Sequence, residues 1–238
     1  MKSLFFRIVA ADLRLIFRDQ TLLVFMISPL LLLLFVKFAV PPLAQYYPVL
    51  KEYYLPITMF GSIQSSILFG FLSAFLIIED KDQQVMNVHR VLPVNPSHYI
   101  LARMFFFFLL STFGAWLVLA FGGLTPEIHA KTLLLAVQAG LVAPTIALLI
   151  GTFAQNKIEA MAYFKGIDLV LLLPVLSLFI SSGWKYALSL FPSFWIYQSY
   201  NEIYALNGEY IFTLTSAIVQ LSAIVLLTRL FRQRIFNR

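Results

Sequence analysis

The stretch "LLVFMISPLLLLLFVKFAV", residues 22–40, carries one charged side chain over a length that crosses a bilayer as a helix. About 20 apolar residues span the roughly 30 Å of hydrocarbon, so such a run constrains the fold more than any motif. Counting this one as Thr21–Val40, the chain has further runs at Leu55–Ile78, Met104–Gly123, Thr132–Phe153, Phe164–Ser182 and Ile211–Leu230. They are continuous and not alternating, and backbone groups in lipid must be satisfied within each segment, which selects helices over a barrel. The sequence predicts an all-α polytopic membrane protein with six transmembrane helices in one domain, 1–238. The first run lies too far in, and lacks a small-residue cleavage site, for a removed leader, so it is expected to stay.

A 61% hydrophobic composition and a mean hydropathy of +0.86 exclude an ordinary soluble globule. The net charge of +6 comes from basic residues dispersed between apolar runs, without the basic stripe beside exposed aromatics that nucleic acid binding requires. Their distribution instead sets direction. Lys2, Arg7, Arg14 and Arg18, then Lys81, Arg90 and Arg103, then Lys157 and Lys165, and finally Arg229, Arg232, Arg234 and Arg238 share one side. The other side holds Lys51, Lys131 and Lys185. Basic residues favour the cytoplasm, so both termini and the 79–103 connection are expected there, in the plasma membrane (the inner membrane of a Gram-negative cell).

Before the first span, Phe5, Phe6, Val9, Leu13 and Ile16 fall on one side of a helix and Arg7, Arg14 and Arg18 on the other. Residues 1–20 thus predict an interfacial helix along the inner leaflet, the alternative being a short basic tail. The external connection 183–210 is rich in rings, including Trp184, Tyr186, Phe194, Trp195, Tyr197 and Tyr200. It predicts short re-entrant or interfacial helices broken at Pro192, with an aromatic belt and cargo contact both open as roles. Pro29, Pro144 and Pro174 bend their spans, either for gating or for packing.

Catalytic chemistry finds no residues to carry it. There is no phosphate cradle of the form G-x-x-x-x-G-K-[ST] and no cysteine, and His89, His98 and His129 stand apart in connections. Ser28, Ser66, Ser177 and Ser222 have no histidine in any span to activate them. No catalytic, metal or cofactor site is therefore expected in this chain. Two ionisable residues fall inside spans: Lys37 near the outer end of the first, and Asp168, near the inner start of the fifth and three residues from Lys165. Both read as peripheral, and neither defines a midplane relay.

Four segments carry a resemblance: "LRLIFRDQTLLVFMISPLLLLLF" (13–35), "EDKDQQVMNVHRVLPVNPSHYILAR" (79–103), "NKIEAMAYFKGIDLVLLLPVL" (156–176) and "LFPSFWIYQSY" (190–200). Together the chain resembles the type-2 permease class of ATP-binding-cassette exporters over nearly its full length. In pattern it is most similar to the small fluoroquinolone or multidrug export permeases. One departure is Val91-Leu92-Pro93, where that subgroup often has a threonine before the proline.

The resemblance implies a membrane subunit that pairs with a second permease, identical or homologous, and with two ATPase subunits that bind ATP and Mg. It implies a coupling element in 79–103: Met86, Val88, Val91 and Leu92 as the contact surface, Asp82, Asn87, His89 and Arg90 at its rim, and Pro93 at its boundary. Glu79, Asp80 and Arg103 would link it to the second and third spans. A plain solvated hairpin is the alternative. Phe60, Gln64, Phe69, Phe71 and Phe153 are candidates to line a path for a hydrophobic or amphipathic cargo, with Pro144 and Pro174 as candidate gates. An exporter of an envelope lipid or polymer, and an ATP-independent channel or secondary carrier, are the competing functions.

Overall fold

A computed structural model of the chain describes residues 2–83, 96–125, 129–204 and 210–235, and every regular element among them is helical. Six helical segments are long and apolar enough to cross a membrane: Gln20–Tyr46, Pro48–Asp82, Tyr99–Phe121, Ala130–Phe153, Lys157–Leu178 and Ile211–Ile235.

The amphipathic α1 (Lys2–Arg18) ends at Asp19. The Asp19 carboxylate accepts the N–H groups of Thr21 (2.8 Å) and Leu22 (3.3 Å), which caps α2 (Gln20–Leu34). The first span does not stop at Val40 as expected. It widens into a π turn at Phe35–Ala39 and continues as α3 (Val40–Tyr46). Pro41 and Pro42 explain the turn: each lacks an N–H, and each ring crowds the carbonyl four residues earlier, so the ladder opens rather than breaks. Lys37 lies in that turn, over the Phe38 ring.

A 3₁₀ turn, Pro48–Tyr53, leads into α4 (Tyr54–Asp82). After α5 (Pro96–Phe121) come α6 (His129–Gly140) and α7 (Val142–Phe153), one span interrupted at Leu141. Pro144 causes the interruption, because it offers no N–H to the Gly140 carbonyl. The fifth span starts at Lys157, not Phe164: α8 (Lys157–Leu172) passes into a 3₁₀ turn, Leu173–Leu178, at Pro174. A second 3₁₀ stretch, Gly183–Leu190, then α9 (Pro192–Tyr204) and α10 (Ile211–Ile235) complete the described chain.

α4 is the axle of the bundle. In its most apolar window 89% of residues are buried, against 17% in the first span, 11% in the fifth and 22% in the sixth. It packs on α2, α5, α7 and α8. The outer spans instead turn side chains such as Leu31, Leu169 and Ile218 outward, as lipid-facing helices do. The α4–α7 crossing is set by Gly70, where a Cβ would lie 2.9 Å from the Ile146 Cβ and 3.0 Å from the Ala143 backbone.

The half of the core remote from α1 is filled by α9, with Pro192 at its first turn. Phe194, Tyr197 and Tyr200 are buried in the bundle, while Trp184 and Tyr186 stay exposed. Tyr200 Oη shares a 2.9 Å hydrogen bond with Ser62 Oγ on α4. The Glu202 carboxylate accepts the N–H groups of Phe212 (3.2 Å) and Thr213 (3.0 Å), satisfying the open first turn of α10.

At the other end, α1 presents Ile8, Asp12 and Ile16 to the bundle and leaves Phe6 exposed. The apolar stripe expected over Phe5, Phe6, Val9, Leu13 and Ile16 is thus rotated, and an acid occupies the protein-facing side.

Gly70→Val should destabilise the bundle by about 1–3 kcal/mol through overpacking at the α4–α7 crossing. The expected readout is a lower melting temperature of the detergent-solubilised chain, whereas Gly166→Ala, where the added Cβ meets nothing within 4 Å, should leave it unchanged.

Candidate functional site

Three helices meet in a charged joint at the lysine-and-arginine-rich end of the bundle. Arg103, two turns into α5, is 3% exposed. Its guanidinium donates from Nε (2.9 Å) and one terminal nitrogen (2.6 Å) to both oxygens of Asp12 on α1, a bidentate fork. The other terminal nitrogen donates to Asp80 on α4 at 2.5 Å. Tyr99, one turn earlier on α5, donates to the same Asp80 oxygen (2.6 Å), and its oxygen accepts from Arg103 (2.7 Å). Burial pushes the Asp12 carboxyl above the ordinary carboxylate range, while the Arg103 guanidinium pulls against it. These residues border a cavity of about 380 Å³ that Arg7 and Gln83 also line.

The same end of α4 is tied to the next two helices. Lys81 Nζ donates to the carbonyls of Gly151 (2.5 Å) and Ala154 (3.0 Å) at the C-terminus of α7, where the helix dipole favours a cation. Glu79 pairs with Lys157 in the first turn of α8 and accepts from Gln83 (2.6 Å). Asn156 caps α8 by accepting the Glu159 N–H at 2.9 Å, and Glu159 in turn accepts the Gln155 N–H at 2.8 Å. Arg234, near the end of α10, lies over the Phe153 ring with 4.6 Å to its centroid.

Of the coupling candidates, Glu79, Asp80 and Arg103 fall within this joint, and Asp82 is exposed at the end of α4. Met86, Val88, Arg90, Val91 and Pro93 lie outside the described residues. The path candidates separate. Phe60 lines an apolar cavity of about 390 Å³ between the first span, α4 and the 3₁₀ end of the fifth span, together with Phe35, Val175 and Phe179. Gln64 lies one turn along α4 from Phe60, with its side chain near Asp168. Phe69 instead turns into the core against Gly114 of α5, and Pro144 and Pro174 are buried. No metal-holding group of His, Cys, Asp and Glu occurs among the described residues.

Asp12 and Lys81 are the members that sequence reasoning missed or left without a role. The spacing of Ile8, Asp12 and Ile16 at i, i+4 and i+8 was the available signal for Asp12. Asp168 lies eleven residues beyond Lys157, where the fifth helical segment begins earlier in the chain than expected.

A family model described as "Fluoroquinolones export permease protein Rv2686c-like" matches residues 12–228. The fluoroquinolones export permease protein Rv2686c of Mycobacterium tuberculosis (strain ATCC 25618 / H37Rv) is 28% identical over 231 residues, covering 94% of this chain and 92% of its own length. Protein MT2760 of strain CDC 1551 / Oshkosh, of the same description, shows the same identity and coverage. No solved structure matches the chain.

Arg103→Ala should cost about 3–5 kcal/mol, since it strands two carboxylates against the bundle. Arg103→Lys should recover less than half of the lost thermal stability, because an ammonium keeps the charge and loses the fork. Melting of the three purified proteins in one detergent checks this, and equal stability of Lys and Arg variants would contradict it.

Proposed function

This chain belongs to the Rv2686c-like family of fluoroquinolones export permeases, and on that premise we propose that it is the membrane subunit of an ATP-driven type-2 exporter. It carries no chemistry of its own. Two separate ATPase subunits bind ATP and Mg, and two permease chains, identical or homologous, enclose the path. Both termini and the connection over residues 79–103 face the cytoplasm, as the basic residues favour. The cargo is a hydrophobic or amphipathic drug, a fluoroquinolone by analogy with the named relatives.

The charged joint is the observation that supports this reading best. Both helices flanking residues 84–95 are clamped to each other by the Asp80–Tyr99–Arg103 contacts. Asp12 adds α1, Lys81 adds the end of α7, and Glu79 adds the start of α8. A push on the 84–95 connection therefore reaches five helices through short, mostly buried bonds instead of dissipating in one hairpin. Met86, Val88, Val91 and Leu92 supply the apolar surface an ATPase groove would take, and Asp82 and Arg90 its polar rim. Closure of the ATPases on ATP moves the joint, and the joint moves α4 relative to the first and fifth spans. The apolar cavity beside Phe60 lies on that moving seam, where a drug-sized cargo fits.

Replacing Val88 and Val91 together by Asp should lower ATPase co-purification at least about tenfold, as loss of two central apolar contacts does, with membrane insertion intact. Unchanged co-purification together with unchanged cargo-stimulated ATP hydrolysis would refute the coupling role. In liposomes holding permease and ATPase, a fluoroquinolone should move on ATP addition. Movement of labelled lipid alone would assign the assembly to envelope lipid, and ATP-independent movement would make the chain a channel or carrier.

A further inference from the structure

Asp168 lies about 16 Å along the helix axis from Lys157, halfway through the fifth span. A carboxylate at that depth is costly unless something pairs with it. Among the described residues no basic side chain forms an ion pair with it; Lys165, one turn away on the same helix, is exposed. Every other carboxylate described in the spans has a cationic partner or sits at a span end: Asp80 with Arg103, Glu79 with Lys157, Asp82 exposed, Glu52 exposed in the turn before α4, and Glu159 in the first turn of α8.

Two neighbours converge on Asp168 from other helices. The Gln64 side chain of α4 lies near it, and Tyr197 of α9, with no exposure at all, holds its hydroxyl within electrostatic reach. Three buried atoms nonetheless lack a partner: Asp168 Oδ1, Gln64 Oε1 and Tyr197 Oη. An ionised carboxylate and an amide oxygen only accept hydrogen bonds, and the Tyr197 hydroxyl has a single proton to give, so the cluster is short of donors, and a positive one answers the charge as well. The cluster also stands beside the apolar cavity. Phe60 and Gln64 are one turn apart on α4, and Asp168 and Val175 two turns apart on the fifth span, with Phe60 and Val175 both lining it.

We propose that Asp168, Gln64 and Tyr197 form an intramembrane site for the protonated amine of an amphipathic cargo, whose apolar remainder fills the cavity beside Phe60. The word cargo rests on the export reading above; the site itself does not. The amine donates to Asp168 Oδ1 and Gln64 Oε1, and the Tyr197 hydroxyl orients the carboxylate.

Binding tests the site separately from transport. The full chain, with its co-purifying subunits, is reconstituted in liposomes and titrated with dansyl-hexylamine and with its uncharged N-acetyl derivative. The wild type should prefer the amine about tenfold, the size of one charge-assisted contact. Asp168→Asn should bring that preference near one, Asp168→Glu should keep most of it, and Tyr197→Phe should lower it about threefold. A wild type without preference, or an Asn variant that retains it, overturns the site. If the Asn variant does not fold, an unchanged preference in Tyr197→Phe overturns it instead. Amine preference that follows these variants, in a chain that exports neither probe with ATP, would uphold the site while sinking the exporter reading.

Discussion

The Arg103 guanidinium is a full charge with almost no access to water, and its end of the bundle is arranged around that fact. Taking such an ion out of water costs several kcal/mol, recovered only if its donors are met with good geometry. Asp12 meets two of them and Asp80 a third, while the Tyr99 hydroxyl accepts from one and bonds onward to Asp80. Because these partners sit on α1, α4 and α5, no one helix can rotate or slide without stranding a charge. Hydrophobic packing alone would tolerate small slippage, since one apolar face resembles another. The fork makes the arrangement specific.

Outward from that joint, specificity passes to shape. α4 carries Gly61, Gly70 and a series of small hydroxyl residues, with Ser62 and Ser66 returning their hydrogens to their own helix at Met59 and Ser62. Small side chains let four neighbours approach its backbone closely, which suits a setting where lipid offers apolar contact as readily as protein does. The peripheral helices keep their large apolar residues for the outside.

The spans were legible because their signal is length and apolarity, which lipid enforces directly; the all-helical class followed from the same run of residues at 22–40. Span ends were less legible. Pro41 and Pro42 read as a stop, yet a π turn carries the helix through them, and Lys157 read as connection although Asn156 caps a helix starting there. Asp12 was hidden for a different reason. Amphipathic reading sorts residues by polarity, so an acid whose partner lies 91 residues away is assigned to the wet face. Glu79, Asp80 and Arg103 could be found, because their segment stood out as polar; how they pair could not, since pairing depends on helix rotation.

Glu202 binds the first turn of α10 from a helix that precedes it in the chain. Ser199 adds a 2.9 Å hydroxyl contact to Thr213, and Gln138 of α6 donates to the Thr213 carbonyl at 2.9 Å. Synthesis runs from the amino end, so α9 emerges before the helix that seats it exists. Until α10 is inserted, the Glu202 carboxylate has neither the Phe212 and Thr213 N–H groups nor the Thr213 hydroxyl to bind, while Tyr200 can already meet Ser62 on α4. The nascent protein thus packs the aromatic face of α9 first and latches that helix only when α10 follows it.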